Sequence, residues 1–294
     1  MPASERVPEV GLNAGGPDDS PAVDPAVTEA LVHGELTVKG RVQGASNAVL
    51  YCESALPGRT VACVYKPVTG ERPLWDFPDG TLAEREVAAY LVSEATGWGL
   101  VPPTVLREGP YGLGMVQRWI ELPAEEQESA ETGSGQPQLL ALTEDPEPAP
   151  GWKAVVEAEL DGGRTALLVH ADDIRLRRIA VLDAVINNAD RKGGHLLPAA
   201  DGRIYGIDHG VTFHTDDKLR TLLWGWAGEP LPAEAVTVLD KLAAELAGAL
   251  GERLATLLTT AETAALRARV HRLREAGVHP EPSGEWPSIP WPPV

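Results

Sequence analysis

Positive charge is scarce in this chain: 25 lysines and arginines face 43 aspartates and glutamates, a formal net charge of −18 over 294 residues. So acidic a protein has no general basic face with which to neutralise phosphates, so nucleic acid is not an expected partner. The same deficit disfavours electrostatic docking on an anionic membrane. Cysteine is nearly absent. Cys52 and Cys63 are too few for a disulfide framework or a zinc site built on cysteine alone. No apolar run reaches the roughly eighteen residues that suggest a membrane span, so no integral membrane contact is expected. The first 25 residues lack the basic start and apolar stretch of a secretory signal, which makes a cytoplasmic protein the expectation. What remains is 43% apolar and 23% charged residues, enough to bury a core of one large domain or two lobes.

Residues 1–25 are rich in Pro, Gly and acid without periodicity and read as a disordered tail. Residues 26–122 read as a strand-rich lobe. Runs at 35–41 and 48–52 flank a short Gly/Ser/Asn turn as in a hairpin, and 60–66 is a third strand ending on Lys66. Helical periodicity follows at 82–95, stopped at Gly97, and 101–106 and 114–120 read as two more strands. That order predicts a small antiparallel sheet with one helix packed on it. Residues 123–150 hold seven acids and no base and read as a flexible acidic insert. Residues 151–279 read as a helical lobe, with an amphipathic helix at 173–186 capped by Asp172 or Asp173. Residues 280–294 form a Pro/Trp-rich tail, expected to pack on the body through Trp286 and Trp291.

Chemistry concentrates in NNADRKGGHLL (187–197) and IYGIDHG (204–210). Asp190 directly follows a buried-looking helix, and Asp208 ends a short apolar strand beside His209 and Gly210. Two acids joined by a short hairpin can converge on one cation. Phosphoryl transfer needs such a pair together with a lysine for phosphate charge, which Lys66 can supply. Glu86 on the first helix can hold that lysine, in competition with Glu84 and Glu94. The bland alternatives are a turn-capping Asp190, a solvated Lys66 at a strand end and a satisfied structural His195.

On these residues the chain resembles the phosphoinositide 3-/4-kinase-like branch of the protein-kinase-like fold. It is similar above all to the type II phosphatidylinositol 4-kinases and, more distantly, to the HipA-type toxin kinases. The resemblance spans roughly residues 35–230. It implies an α+β, bilobal protein-kinase-like fold with a strand-rich N-lobe and a helical C-lobe, and an ATP-dependent phosphotransferase using Mg²⁺ or Mn²⁺. Asp190 matches the catalytic acid and Asp208 the metal-binding acid. Lys66, in VYKP, matches the nucleotide lysine, and Glu86, in EVAAYLV, its partner. Ser46 and Asn47 fall in the phosphate-covering turn, and Met115 and Gln117 at the hinge beside the adenine. The family carries Asn five residues after its catalytic Asp, where this chain has His195. A ring nitrogen there suits Mn²⁺ better than Mg²⁺.

The implied partners are a nucleotide and a phospho-acceptor that the sequence does not identify as lipid, protein or small molecule. The basic amphipathic helix and cysteine cluster that would favour a lipid are missing. Two other readings compete. One is a catalytically inactive nucleotide-binding pseudokinase, which the replacement at His195 favours. The other is a metal-dependent hydrolase ligated by Asp190, His195, Asp208, His209 and His214, which leaves Lys66 and Glu86 without a role.

Overall fold

Alternation of apolar residues builds the first part of the chain into a sheet. The computed structural model describes residues 24–44, 47–77, 81–122, 139–160 and 163–293. Strands β1 (Glu35–Arg41), β2 (Leu50–Leu56), β3 (Arg59–Pro67), β4 (Thr104–Gly109) and β5 (Gly112–Arg118) form an antiparallel sheet in the order β1-β2-β3-β5-β4. Successive side chains leave a strand on opposite faces, so β3 sends Val61, Cys63 and Tyr65 one way and Val64 and Lys66 the other. The first face is covered by helix α1 (Pro25–His33), whose Ala30 and Leu31 pack against Cys52, Cys63, Tyr65 and Val116. On the other face, Met115 packs against Ala83 and Val87 of helix α2 (Leu82–Thr96).

Two helices therefore clasp this sheet where the sequence suggested one. Helix α1 begins where the sequence suggested a tail. Asp24 accepts a hydrogen bond from the Ala26 amide at 3.0 Å, and Pro25 fits the first helical turn. Helix α2 has stronger punctuation. Thr81 and Glu84 form a reciprocal capping box, and Gly97 closes the helix at φ 79°, a left-handed conformation that suits glycine.

Beyond the first sheet the chain differs from expectation again. Of the predicted acidic insert, residues 123–138 lie outside the described residues, as do residues 1–23 of the predicted tail. Residues within 140–171, however, form a second, three-stranded sheet. Its strands β6 (Leu140–Thr143), β7 (Trp152–Leu160) and β8 (Arg164–Ala171) lie in the order β6-β8-β7. The lobe read as helical from residue 151 thus starts with strands. The signal was hidden because Ala166 to Ala171 are all buried, and a strand covered on both faces shows no alternation.

Helix α3 (Ile174–Ile186) follows, with Asp173 as its N-cap and Asn187 closing it at φ 54°. A short hairpin, β9 (Leu196–Pro198) with β10 (Ile204–Gly206), comes next. Helices α4 (Ala233–Leu246), α5 (Ala249–Leu254) and α6 (Thr260–Ala276) complete the helical part. The main core joins α2, the second sheet, α3 and these three helices, so α2 is shared by both halves of the molecule. In the terminal segment Trp286 is half-buried, whereas Trp291 is 82% exposed and does not pack as expected. Among the described residues no helix is long and apolar enough to cross a membrane.

Strand β5 passes so close to β3 that only glycine fits at 114. A Cβ there would lie 2.5 Å from Tyr65 Cε2 and 2.6 Å from the Lys66 carbonyl oxygen. Gly114→Ala is expected to destabilise the fold by about 1–3 kcal/mol through overpacking, read as a lower midpoint in urea unfolding. An unchanged midpoint would show that β3 and β5 can separate freely.

Candidate functional site

Lys66 is the last lysine before β3 ends, on the face of the sheet that α2 approaches. Its Nζ donates to Glu86 Oε1 at 2.8 Å and also to Asp208 Oδ1. Glu86 is itself buried, and its second oxygen accepts the His209 backbone amide at 2.9 Å. Strand β3, helix α2 and the turn after β10 therefore meet at one ammonium group. Burial alone would lower the pKa of Lys66, but the carboxylates of Asp208 and Glu86 outweigh it and raise the pKa above its ordinary value. Withdrawal from water would raise the pKa of Asp208. The Lys66 ammonium reverses that and holds the carboxyl well below the usual range. Asp208 sits at φ 58°, a backbone region that non-glycine residues seldom occupy and that clusters at functional sites.

Asp190, Lys192 and His195 line the same cavity as Lys66, Glu86 and Asp208. The Lys192 ammonium lies 3.3 Å from Asp190 Oδ2, and His195 Nε2 lies 3.5 Å from Asp208 Oδ2. Burial lowers the His195 pKa, which favours a neutral ring with a free nitrogen lone pair. Among the described residues no three His, Cys, Asp or Glu side chains gather closely enough to cage a metal. One carboxylate and one imidazole side by side, with a second carboxylate in the cavity, nevertheless suit a divalent cation that takes its other ligands from phosphate and water.

The structure does not bring every candidate to this cavity. Asn47 reaches it and accepts the Arg72 amide at 3.0 Å, while Ser46 lies outside the described residues. Met115 and Gln117 do not line it. Met115 is fully buried beneath α2, and Gln117 Nε2 donates to Thr104 Oγ1 at 2.9 Å. Both lie within β5, and the chain leaves that strand only after Arg118. The hinge role that the resemblance implies for 115–118 thus falls on residues that do not line this cavity.

Sequence reading missed Lys192 and Glu71. Glu71 lines the cavity and accepts the amides of Leu82 (3.0 Å) and Ala83 (2.8 Å) at the start of α2. Burial raises its pKa. Lys192 carried a usable signal, a lysine two residues after the candidate acid. Glu71 carried none.

Beneath the cavity Arg191 braces the two loops. Its guanidinium is fully buried and makes two 2.9 Å bonds to Asp183. It also donates to the carbonyls of His195 (3.2 Å) and Ile207 (3.0 Å), and contacts His209 Nε2 at 2.6 Å. That contact requires an unprotonated Nε2. Burial, reinforced by Arg191, pushes the His209 pKa well below its ordinary value. Asn188 adds two bonds, donating to Asp183 Oδ1 at 2.9 Å and accepting the Asp190 amide at 3.0 Å.

No family model matches the chain. Protein Rv2133c of Mycobacterium tuberculosis is 52% identical over 262 residues, covering 89% of this chain and 93% of that one. This chain belongs to the Rv2133c family. That name describes no activity, so family membership leaves the chemistry to the geometry above. Among solved structures the chain is similar to the crystal structure of the Golgi casein kinase, at 13% identity and a TM-score of 0.45, over 86% of this chain and 73% of that one. A likeness at that level carries no argument.

Two outcomes are expected from the buried charges. Arg191→Leu leaves Asp183 buried without its partner and should cost about 3–5 kcal/mol, measured by urea denaturation; a loss within error would mean that the brace is dispensable. Burial also holds His170 and His279 down to about 4, against 6.5 for an ordinary histidine, and keeps His209 well below its ordinary value. Between about pH 6.5 and 4 the unfolded chain then binds protons that the folded chain refuses, so stability rises with pH across that window and falls on acidification. Melting temperatures that stay flat from pH 7 to pH 4.5 would contradict the burial of these rings.

Proposed function

We propose that this protein is an ATP-dependent phosphotransferase with a bilobal, protein-kinase-like architecture, as the resemblance to the phosphoinositide 3-/4-kinase-like family implies. The observation that carries the reading is the double engagement of Lys66, held by Glu86 and Asp208 at the edge of a cavity that also contains Asp190. A strand-end lysine with no task would point into water; this one is kept charged between two carboxylates. On arrival of a triphosphate, Lys66 exchanges Asp208 for phosphate oxygens while Glu86 keeps its ammonium in place. The freed Asp208 carboxylate, with His195, would hold a Mg²⁺ or Mn²⁺ ion, whose chemistry is to neutralise phosphate charge and orient the terminal phosphoryl group.

Asp190 has a half-exposed side chain, positioned by Asn188 and Arg191, and is the group that orients the acceptor hydroxyl and takes up its proton. The acceptor oxygen forms a bond to the terminal phosphorus, the bond from that phosphorus to the bridging oxygen breaks, and ADP leaves. Lys192 beside Asp190 adds positive charge on the acceptor side. The acceptor is a hydroxyl compound of a class still to be found.

His195 in place of an amide ligand favours one further reading, a nucleotide-binding pseudokinase. A hydrolase reading leaves the Lys66–Glu86 pair without purpose. The readings separate by thermal shift with ATP, ADP and GTP, each with Mg²⁺ or Mn²⁺, because ligand binding raises the melting temperature by mass action. ATP with Mn²⁺ is expected to stabilise the wild type, and Lys66→Met and Asp208→Asn to lose the shift. Asp190→Asn should keep the shift but lower ATP turnover at least a hundredfold, consistent with the usual worth of a general base. Turnover unaffected by Asp190→Asn would remove the catalytic assignment. No shift with any nucleotide would remove the phosphotransferase and pseudokinase readings together.

A further inference from the structure

Lys218 is an unusual lysine, only 4% exposed although it lies far from the ion pair at Lys66 in sequence. Its ammonium is 2.9 Å from Asp76 Oδ2 and is ringed by three aromatic side chains. The ring centroids lie at 4.3 Å for Trp286, 5.4 Å for Trp75 and 5.6 Å for Phe77. Cation–π attraction strengthens when the cation is shielded from water, as here. Trp75 and Phe77 belong to the segment between Lys66 and α2, the same segment that carries Glu71. Trp286 belongs to the Pro/Trp-rich C-terminal segment. The backbone amide of Lys218 donates to Asn187 Oδ1 at 3.0 Å, at the end of α3 where the loop to Asp190 begins.

From Lys218 onward the chain lies between that loop and the C-terminal segment. On one side, the Arg220 amide donates to the Asn188 carbonyl at 2.9 Å and the Arg191 amide to the Arg220 carbonyl at 3.0 Å. On the other, the Thr221 amide (3.1 Å) and Trp224 Nε1 (2.8 Å) both donate to the Ser288 carbonyl. The last link is direct: the Gly193 amide, next to Lys192, donates to the Pro293 carbonyl at 2.9 Å. None of the described residues from 280 onward lines the cavity of Lys66 and Asp190. The segment therefore backs the loop from behind and does not plug the site.

We propose that the C-terminal segment is a strap that positions the 190–195 loop, and that the Trp75–Lys218–Trp286 cage couples this strap to the segment leading into α2. Trp286, Lys218 and Trp75 act as positioning residues: they touch neither Asp190 nor Lys66 but hold the backbones that carry them. The purpose assigned to the strap rests on the phosphotransferase reading, whereas the coupling itself can be measured without any nucleotide. Coupling between sites is a free-energy relation, so loosening one end must register at the other.

The test is residue-resolved hydrogen–deuterium exchange on the full chain, comparing wild type with Trp286→Ala, Trp286→Phe and Trp75→Ala. Trp286→Ala is expected to speed exchange of the Gly193 and Thr221 amides at least tenfold with little change in melting temperature. Trp286→Phe, which keeps an aromatic face for Lys218, should restore most of the protection. Trp75→Ala, remote from both amides, should still speed them at least threefold. Exchange at 193 and 221 that is indifferent to Trp75→Ala, or changes confined to residues 283–293, would overturn the strap. A parallel thermal shift with ATP and Mn²⁺ keeps the two ideas apart. A wild type that shows the exchange coupling but no nucleotide shift upholds the strap and refutes the phosphotransferase reading.

Discussion

A single ammonium group joins the parts of this molecule that matter for its chemistry. Lys66 arrives on β3, Glu86 on α2, and Asp208 on the turn after β10, well over a hundred residues further along the chain. Neither the buried Glu86 nor the sequestered Lys66 is stable in that place alone. A buried carboxylate without a cation, or a sequestered ammonium without an anion, costs several kcal/mol, whereas a hydrogen-bonded set repays much of that loss. The pairing therefore selects one way of setting the sheet against the helical part. Glu86 strengthens the choice by accepting the backbone amide beside Asp208 with its other oxygen.

A second set of charges lies below, with a different task. Arg191 and Asp183 are both fully buried and paired through two bonds, and the guanidinium spends its remaining donors on the chain either side of the β9–β10 hairpin. Isolated ion pairs of this kind are weak evidence for stability. Here the pair has a geometric consequence: the backbones flanking Asp190 and Asp208 are tied to α3, so the two acids keep a fixed separation at the cavity. Under the phosphotransferase reading the upper set is adjustable, because Lys66 would trade Asp208 for phosphate. The lower set is not. Under that reading, an exchangeable lysine over a rigid floor would supply electrostatic preorganisation.

Much of this was legible in the sequence because chemistry leaves sharp local marks. Asp190 after an apolar helix, Asp208 after IYGI, and Lys66 at the end of a β-rich run all stand where local pattern changes, and the structure places them around one cavity. Glu86 was separable from Glu84 only by helix face: Glu84 closes the capping box while Glu86 points inward. The failures have equally physical causes. Met115 and Gln117 received the hinge role by resemblance alone; register pairs Met115 with Lys66 and Gln117 with Val64 within the sheet. Strand β8 hid inside a continuous apolar run, and β7 was masked by its position beside an acidic segment. Long-range partners such as Glu71 on the α2 amides, or Trp286 over Lys218, leave no trace in spacing at all.

The central claim is that Lys66 meets the phosphates of a bound nucleotide, and an acyl-phosphate derivative of ATP tests it most directly, because such a probe acylates lysines that touch the phosphate chain. Peptide mapping after labelling of the intact protein should find Lys66, with or without Lys192, as the principal acylated site, and excess unmodified ATP with Mn²⁺ should suppress it. Acylation spread over surface lysines and insensitive to ATP, with Lys66 untouched, would contradict the account.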